Sequence, residues 1–385
     1  MPFHLSHIAA GFIAVLVGYT GSAAIIFQAA NTLGADSALV ASWFWALGVG
    51  MGLSCITLSL VYRQPILTAW STPGAALLVT SLAGVSIEEA VGAFLLCSAL
   101  LTLTGLTGVF DRLVRLLPPG LAPAMLAGVL FQFGTEAMAA FGSNAAIVGA
   151  MTVVFLIGQV RSPRYAVPGA LVVGLVIAFA QGNLTAEFID VTPATPVWTT
   201  PAWSLSTAIG VALPLYIVTL ASQNVPGIAT LRAHGYDAPA SPVIASTGVT
   251  GLALAGFGGF SFNFAAITAA ICMGPDVDPD PKQRYKAAVW AGAFYLLIGV
   301  FANAVAGLFT AFPAALVAAI AGLALLGTIA NSLSDSLSQA DARVPAILTF
   351  LTTTSGLEVF GIGSAFWGLA IGIAAWHLQR AVRPT

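Results

Sequence analysis

From Ile8 to Ala30, and again from Ser37 to Tyr62, the chain carries no charged side chain, and similar runs recur almost to its end. A helix needs ~20 apolar residues to cross the hydrocarbon core of a bilayer. With no water there, every backbone N–H and C=O must be satisfied internally, so such runs fold as packed helices. The expected fold class is an all-α polytopic membrane protein. Composition agrees, with 58% of the 385 residues hydrophobic and 7% charged, and a mean hydropathy of +0.97. No soluble globular domain has that balance. The 40 glycines and 21 prolines suit close helix packing and broken helices. A formal net charge of −2 gives nucleic-acid binding no electrostatic support.

Apolar runs punctuated by charge, Gly and Pro place spans at Ile8–Ala30, Ser37–Tyr62, a broken Arg63–Leu82, Ala90–Val109, Leu121–Ala140, Ala145–Val160 and Val167–Ala180. A polar, Pro- and Thr-rich connection, Gln181–Pro201, follows. The second half offers Thr207–Pro226, Pro242–Gly256, a short Gly258–Met273, Ala287–Leu308, Pro313–Ile329, Val344–Thr354 and Gly363–His377. Met1–His7 lacks a basic leader and a small-residue cleavage site, so the first run is expected to be a retained span. With the N-terminus inside, this division of 14 spans puts all 12 Lys and Arg residues on the inner connections. They are Arg63, Arg112, Arg115, Arg161, Arg164, Arg232, Lys282, Arg284, Lys286, Arg343, Arg380 and Arg383. Asp36, Glu88, Glu89, Glu136, Glu187, Asp190 and Glu358 fall outside or near it. So one-sided a division supports cytoplasmic termini.

Seven spans per half give the halves opposite orientations, the geometry of an inverted-repeat transporter with discontinuous helices near the midplane. The third span fits. Pro65 bars helix, Ile66, Leu67, Thr68 and Trp70 suit a short strand, and Ser71-Thr72-Pro73-Gly74 suits a helix start. Ser71 or Thr72 is the expected N-cap, and only half a span of apolar residues follows. The tenth span repeats the pattern, with Phe260, Ser261, Phe262, Asn263 and Phe264 leading into a short apolar run. Two half-helix N-termini meeting inside a membrane offer backbone donors to an anion. Candidate binding residues are Ser71, Thr72, Ser261 and Asn263, with Gln28, Gln223 and Asn224 from the first span of each half. Gln28 and Gln223 can instead serve the loose backbone of the broken helices. Tyr19, Phe27, Trp70, Phe260, Phe262 and Phe264 flank these points and either line a small organic ligand or simply pack. Trp43, Trp45, Trp198, Trp203 and Trp376 fit an interfacial belt.

Other signals point nowhere. Asp276, Asp278 and Asp280 resemble the start of a calcium loop but lack its glycine and distal glutamate, so a solvated loop is expected. His4, His7, His234 and His377 are scattered near span ends, and Cys55, Cys97 and Cys272 read as small core residues. No metal, cofactor, hydrolase motif or nucleotide-binding loop is indicated, so an enzyme or ATP-driven pump is not expected. No acid falls at the centre of a span. Glu136 is the deepest carboxylate and the candidate for proton coupling.

Three motifs, YRQPILTAWSTPGAALL, SQNVPGIATLRAHGY and GGFSFNFAAITAAI, resemble the BenE benzoate/proton symporter family along almost the whole chain. The architecture is more distantly similar to the uracil permease and sulfate transporter superfamily. That resemblance implies a core domain of spans 1–4 and 8–11 (residues 1–109 and 201–310). It also implies a gate domain of spans 5–7 and 12–14 (residues 110–200 and 311–385). The ligand is then expected between the starts of spans 3 and 10. Nucleobase permeases carry carboxylates on spans 8 and 10, where this chain offers Gln223 and Asn263, and neutral amides suit a carboxylate ligand better. The expected function is alternating-access import of benzoate or a related aromatic acid with protons across the inner membrane. Alternatives are a nucleobase or inorganic-anion carrier of the same fold, or a channel or sensor. The expected partners are the aromatic carboxylate, protons and the bilayer, with a homodimer as the assembly to test.

Overall fold

The computed structural model describes residues 5–118, 120–184, 190–237 and 239–382. His4, Glu187, Arg383 and the Arg115 side chain lie outside that description. The first half contains α1 (Leu5–Thr32), α2 (Ser37–Tyr62), β1 (Thr68–Trp70), α3 (Thr72–Ser81) and α4 (Ile87–Thr107). It continues with α5 (Phe110–Leu116), α6 (Leu121–Ala139), α7 (Ala145–Arg161) and α8 (Pro163–Ala180). In the second half, Leu205–Ala233 is one long rod. Its α-helical parts α9 (Leu205–Thr207), α10 (Leu213–Val218) and α11 (Val225–Ala233) are joined by π-helical turns at Ala208–Ala212 and Thr219–Asn224. Then come α12 (Ala240–Leu254), β2 (Phe262–Phe264), α13 (Ile267–Met273), α14 (Tyr285–Val300) and α15 (Ala302–Ala311). The chain closes with α16 (Ala314–Leu337), α17 (Arg343–Thr354) and α18 (Ser364–Val382).

Local chemistry sets several ends. Asp36 caps α2 by accepting the Leu39 N–H at 2.8 Å, and Ser86 caps α4, whose first turn carries Glu88 and Glu89 against the helix dipole. Gly108 ends α4 at φ +68°, a left-handed conformation that glycine adopts without steric cost. Among the described residues, eight helices are long and apolar enough to cross a bilayer, or nine with the bent pair α14–α15. The other expected crossings are the shorter α7 and α17, the less apolar α18 and the two broken elements.

Packing obeys an exchange of the two halves. α2 packs on α14 as α12 packs on α4; α7 on α8 as α17 on α18; α6 on α17 as α16 on α7. The α6–α16 pair is its own counterpart. Each relation becomes its partner when the halves are swapped, the mark of an inverted repeat. Lipid is as apolar as leucine, so close approach of backbones holds such helices together more than expulsion of water does. Gly48 shows this at the α2–α14 crossing, where a Cβ would sit 2.6 Å from the Gly299 Cα.

The polypeptide joining the halves is laced across one end of the bundle. Its backbone N–H groups donate from Ala194 to Val300 O at 2.8 Å, from Thr199 to Gly256 O at 2.7 Å and from Ala202 to Glu88 O at 2.9 Å. Val197 N–H donates to Ser42 Oγ at 2.9 Å. Asp190, at its start, accepts the Thr192 N–H at 2.8 Å, and these Thr192 hydrogen bonds hold its carboxyl below the usual value. At the opposite end, Gln64 donates to Asp237 O and Tyr236 to Pro281 O, gathering Arg63, Arg232, Lys282 and Arg284.

Three expectations need correction. The eleventh span is bent by 69° between α14 and α15, where Val300 O turns to accept the linker's Ala194 N–H. Trp43 is buried at 1% exposure, packed on Phe94 at 5.4 Å and Phe260 at 5.9 Å, and is no belt residue. Asp278 is not a solvated loop acid: it meets buried His7 at 2.9 Å, while Arg284 Nε donates to its backbone oxygen. The strand expected before the second half-helix is present at Phe262–Phe264, Asn263 included, and the half-helix follows from Ile267.

Candidate substrate site at the strand crossing

The two broken elements meet in the interior. β1 and β2 pair antiparallel, with Thr68 opposite Phe264, Ala69 opposite Asn263 and Trp70 opposite Phe262. The Ser71 N–H extends the ladder to Ser261 O at 3.0 Å, and Ala265 N–H to Leu67 O at 2.9 Å. Each strand thus satisfies the backbone of the other where neither helix can. Because the strands are antiparallel, α3 and α13 leave the crossing in opposite directions.

Strand alternation sorts the side chains. Thr68 turns to α2, its hydroxyl 2.6 Å from Ser54 Oγ, and Phe262 lies on the same face, so close to Gly50 that a Cβ there would sit 2.4 Å from the ring. Phe262 and Phe264 are fully buried scaffold residues. Ala69 and Asn263 share the other face, where Ala69 is half-exposed.

At the start of α3, Ser71 is the N-cap, its Oγ accepting the Gly74 N–H at 2.9 Å, and Thr72 is half-buried. Pro73 is the second residue of α3 and has no N–H. Asn263 Nδ2 donates to Ser261 O at 2.9 Å, the same carbonyl that takes the Ser71 N–H. Asn263 Oδ1 is buried without a hydrogen-bond partner among the described residues. Ser261 has φ +47°, and its hydroxyl pairs with that of Thr219.

Asn224 is fully buried and engaged at both ends. Its Oδ1 accepts the Phe264 N–H at 3.1 Å, and its Nδ2 donates to Thr219 O, on the first residue of the π-helical turn, at 3.1 Å. Asn224 therefore fills the scaffold role considered for Gln223, whose Nε2 donates only to the neighbouring Ser222 O at 2.9 Å. Gln223, Gln28 and Phe27 are half-buried, Phe27 stacking on Phe309 at 5.8 Å. Tyr19 is buried with its ring edge on Trp70 at 4.8 Å, and its hydroxyl lacks a partner among the described residues. Trp70 Nε1 donates to Ser22 Oγ at 2.8 Å. Glu136 stands apart, exposed on α6 and accepting from Gln132 at 3.2 Å. Thr219 and Ser22 were not expected at the crossing. Thr219 lies one helical turn before Gln223, a spacing that could have flagged it.

A cavity of about 430 Å³ lies between α5 and α11, lined by Phe110, Asp111, Val114, Val225, Ile228, Ala229 and Arg232. Its α11 residues follow directly on Asn224.

Residues 1–378 match the benzoate membrane transport protein family, BenE. This chain is a member of the BenE family. A BenE relative, inner membrane protein YdcO of Escherichia coli (strain K12), is 50% identical over 94% of this chain and 93% of its own length. The benzoate membrane transport protein of Acinetobacter baylyi is 41% identical over 97% of this chain and 95% of its own length. The BenE chain also shares its fold with solved anion carriers. The transmembrane domain of the cyanobacterial bicarbonate transporter BicA has a TM-score of 0.62 at 12% identity, covering 97% of this chain and 95% of that one. SLC26A9 has a TM-score of 0.63 at 12% identity, covering 96% of this chain and 65% of that one. BenE-family members are membrane transporters, and this chain is a transporter of small solutes or anions rather than an enzyme.

Proposed function

We propose that this protein is a secondary transporter that imports benzoate or a closely related aromatic carboxylate with protons, by alternating access. The observation that carries the reading is the crossing itself. It places the Thr72 end of α3, the Asn263 amide and the half-exposed Ala69 on one face, with no acid on β1, β2, α3 or Thr219–Asn224 to repel an anion. The ligand's carboxyl group lies beside Ser71, Thr72, Ser261 and Asn263, while half-buried Gln28, Gln223 and Phe27 line its approach. The name carried by the Acinetobacter relative supports benzoate. Residues 1–109 and 201–310 act as the core that carries the site, and residues 110–200 and 311–385 as the gate. The cavity beside α11 is the release route, opening at the end of the bundle that gathers Arg63, Arg232, Lys282 and Arg284. That end faces the cytoplasm, and both termini lie there.

Uptake of labelled benzoate into proteoliposomes, corrected for leak into protein-free vesicles, tests this. Saturable, concentrative uptake driven by a pH gradient is expected. Saturation-free flux indicates a channel, and binding without flux a sensor; either result rejects the reading. Ser71→Pro and Asn263→Leu are both expected to weaken benzoate binding, and unchanged affinity in both rejects the site.

A further inference from the structure

We infer that the ligand occupies the crossing as the neutral carboxylic acid, so that the coupled proton travels on the substrate and not on a protein side chain. This rests on the transport reading above and adds the chemical form in which the substrate is bound.

The donor supply at α3 is nearly exhausted. Gly74 N–H goes to Ser71 Oγ, Ala75 N–H to Ser71 O, and Pro73 has none. That leaves the Thr72 N–H as the uncommitted backbone donor among the described residues at the start of α3, with neutral hydroxyls and the second Asn263 N–H beside it and no charged donor to meet a buried carboxylate. Beside it stands an orphan of the opposite kind. Ser261 O can only accept, so the Asn263 nitrogen must face it, and Asn263 Oδ1 is turned away as an acceptor. That oxygen belongs to a side chain at 0% exposure and has no hydrogen-bond partner among the described residues. Ser261 O is shared with the Ser71 N–H, so the orphan acceptor sits at the mouth of α3.

A carboxylate offers acceptors only and would set an oxygen against Asn263 Oδ1. A carboxylic acid offers one donor and one acceptor: its O–H donates to Asn263 Oδ1, and its carbonyl oxygen accepts from Thr72 N–H. Burying an unpaired ion is costly, and groups in such places neutralise instead. No cation stands by to change this. Among the described residues, the titratable groups on elements packed against the ribbon are Cys55, Cys97, Cys272, Tyr19, Tyr216 and Tyr295, with His7, Tyr62, Glu88, Glu89, Arg232, Tyr285 and Lys286 at the helix ends. The balance is simple. One proton joins the carboxylate on the uptake side, the neutral acid crosses with the core, and on release it ionises to return anion and proton. No net charge moves.

The test uses the purified full-length protein. Benzoate binding is measured calorimetrically at neutral pH in phosphate and in Tris, whose different ionisation enthalpies reveal protons taken up on binding. One proton per benzoate is expected; benzoate that binds with none overturns the inference and leaves the transport reading standing. Benzamide and benzenesulfonate are then used as competitors. Benzamide carries an N–H donor beside a carbonyl and is expected to compete, whereas the sulfonate stays ionised and is expected to bind at least tenfold more weakly than benzoate. A sulfonate that competes as well as benzoate places the proton on the protein and also overturns the inference. Absence of any benzoate binding removes both readings together. Asn263→Leu is expected to reduce proton uptake and the preference for benzamide over sulfonate.

Discussion

Asn224 and Phe264 stand 40 residues apart in sequence, yet the Asn224 side-chain oxygen accepts the Phe264 backbone N–H at 3.1 Å. Through its nitrogen the same amide holds Thr219 O. One side chain thus ties the π-helical turn before α11 to the strand before α13. Asn224→Leu leaves the buried Phe264 N–H without this acceptor and removes the second bond to Thr219 O, and an unsatisfied buried group costs about 1–3 kcal/mol. Thermal unfolding in detergent is expected to show a clear loss of stability, with benzoate affinity falling as β2 loosens. Asn224→Asp keeps the acceptor and is expected to fall between the two.

His7 and Asp278 form the second long-range polar link, buried where α1 begins and where the loop after α13 turns. Removing one partner of a buried hydrogen bond typically costs about 1–3 kcal/mol. His7→Ala and Asp278→Ala are each expected to lower the melting temperature far more than Asp276→Ala, since Asp276 is exposed. Equal effects in all three would show that the pair contributes nothing.

The α2–α14 crossing is set by Gly48 against Gly299. A leucine at either position has no room, and overpacking of this kind costs about 1–3 kcal/mol or more. Reduced yield of folded protein on size-exclusion chromatography is expected for Gly48→Leu. Gly307→Leu, with nothing within 4 Å of its Cβ position, is expected to behave as the parent.

The laced connection should depend on pH through Asp190. Its carboxyl is held below the ordinary aspartate value by the Thr192 hydrogen bonds. A depressed folded value means the stabilisation is present above the unfolded value and fades as pH falls through the folded one. Amide exchange at Thr192 and Ala194, corrected for its intrinsic pH dependence, is therefore expected to lose protection in that acidic window. Asp190→Asn is expected to abolish the change.

Glu136 is the carboxylate that depth in the sequence singled out for proton coupling. It is exposed on α6 beside Gln132, away from the crossing. Glu136→Gln is expected to retain pH-driven benzoate uptake, and uptake that ceases to respond to pH would return the residue to the mechanism.

The spans were readable because their boundaries are local chemistry. Asp36 caps α2, and its expected range matches the observed helix from Ser37 to Tyr62. Ser71 announces α3 by the same means. The bend at Phe301 was invisible because no proline marks it; its carbonyl partner arrives from the linker more than a hundred residues earlier. Trp43 looked interfacial because an indole on an apolar run fits either a belt or a core, and only the approach of Phe94 and Phe260 decides. His7 and Asp278 lie 271 residues apart, beyond any spacing rule. At the candidate site, residue types alone suggested both Gln223 and Asn224. Which amide is consumed by backbone and which stays free depends on the π-helical turn, and that has no local sequence signature.

The strand pairing has a bearing on how such proteins diversify. Every contact that joins β1 to β2 in register is made by main-chain atoms. The architecture at the crossing is therefore indifferent to which side chains Ala69, Thr72 and Asn263 present. Selection can rewrite ligand preference at those few positions without renegotiating the scaffold, and one frame can carry chemically unrelated cargo in different lineages.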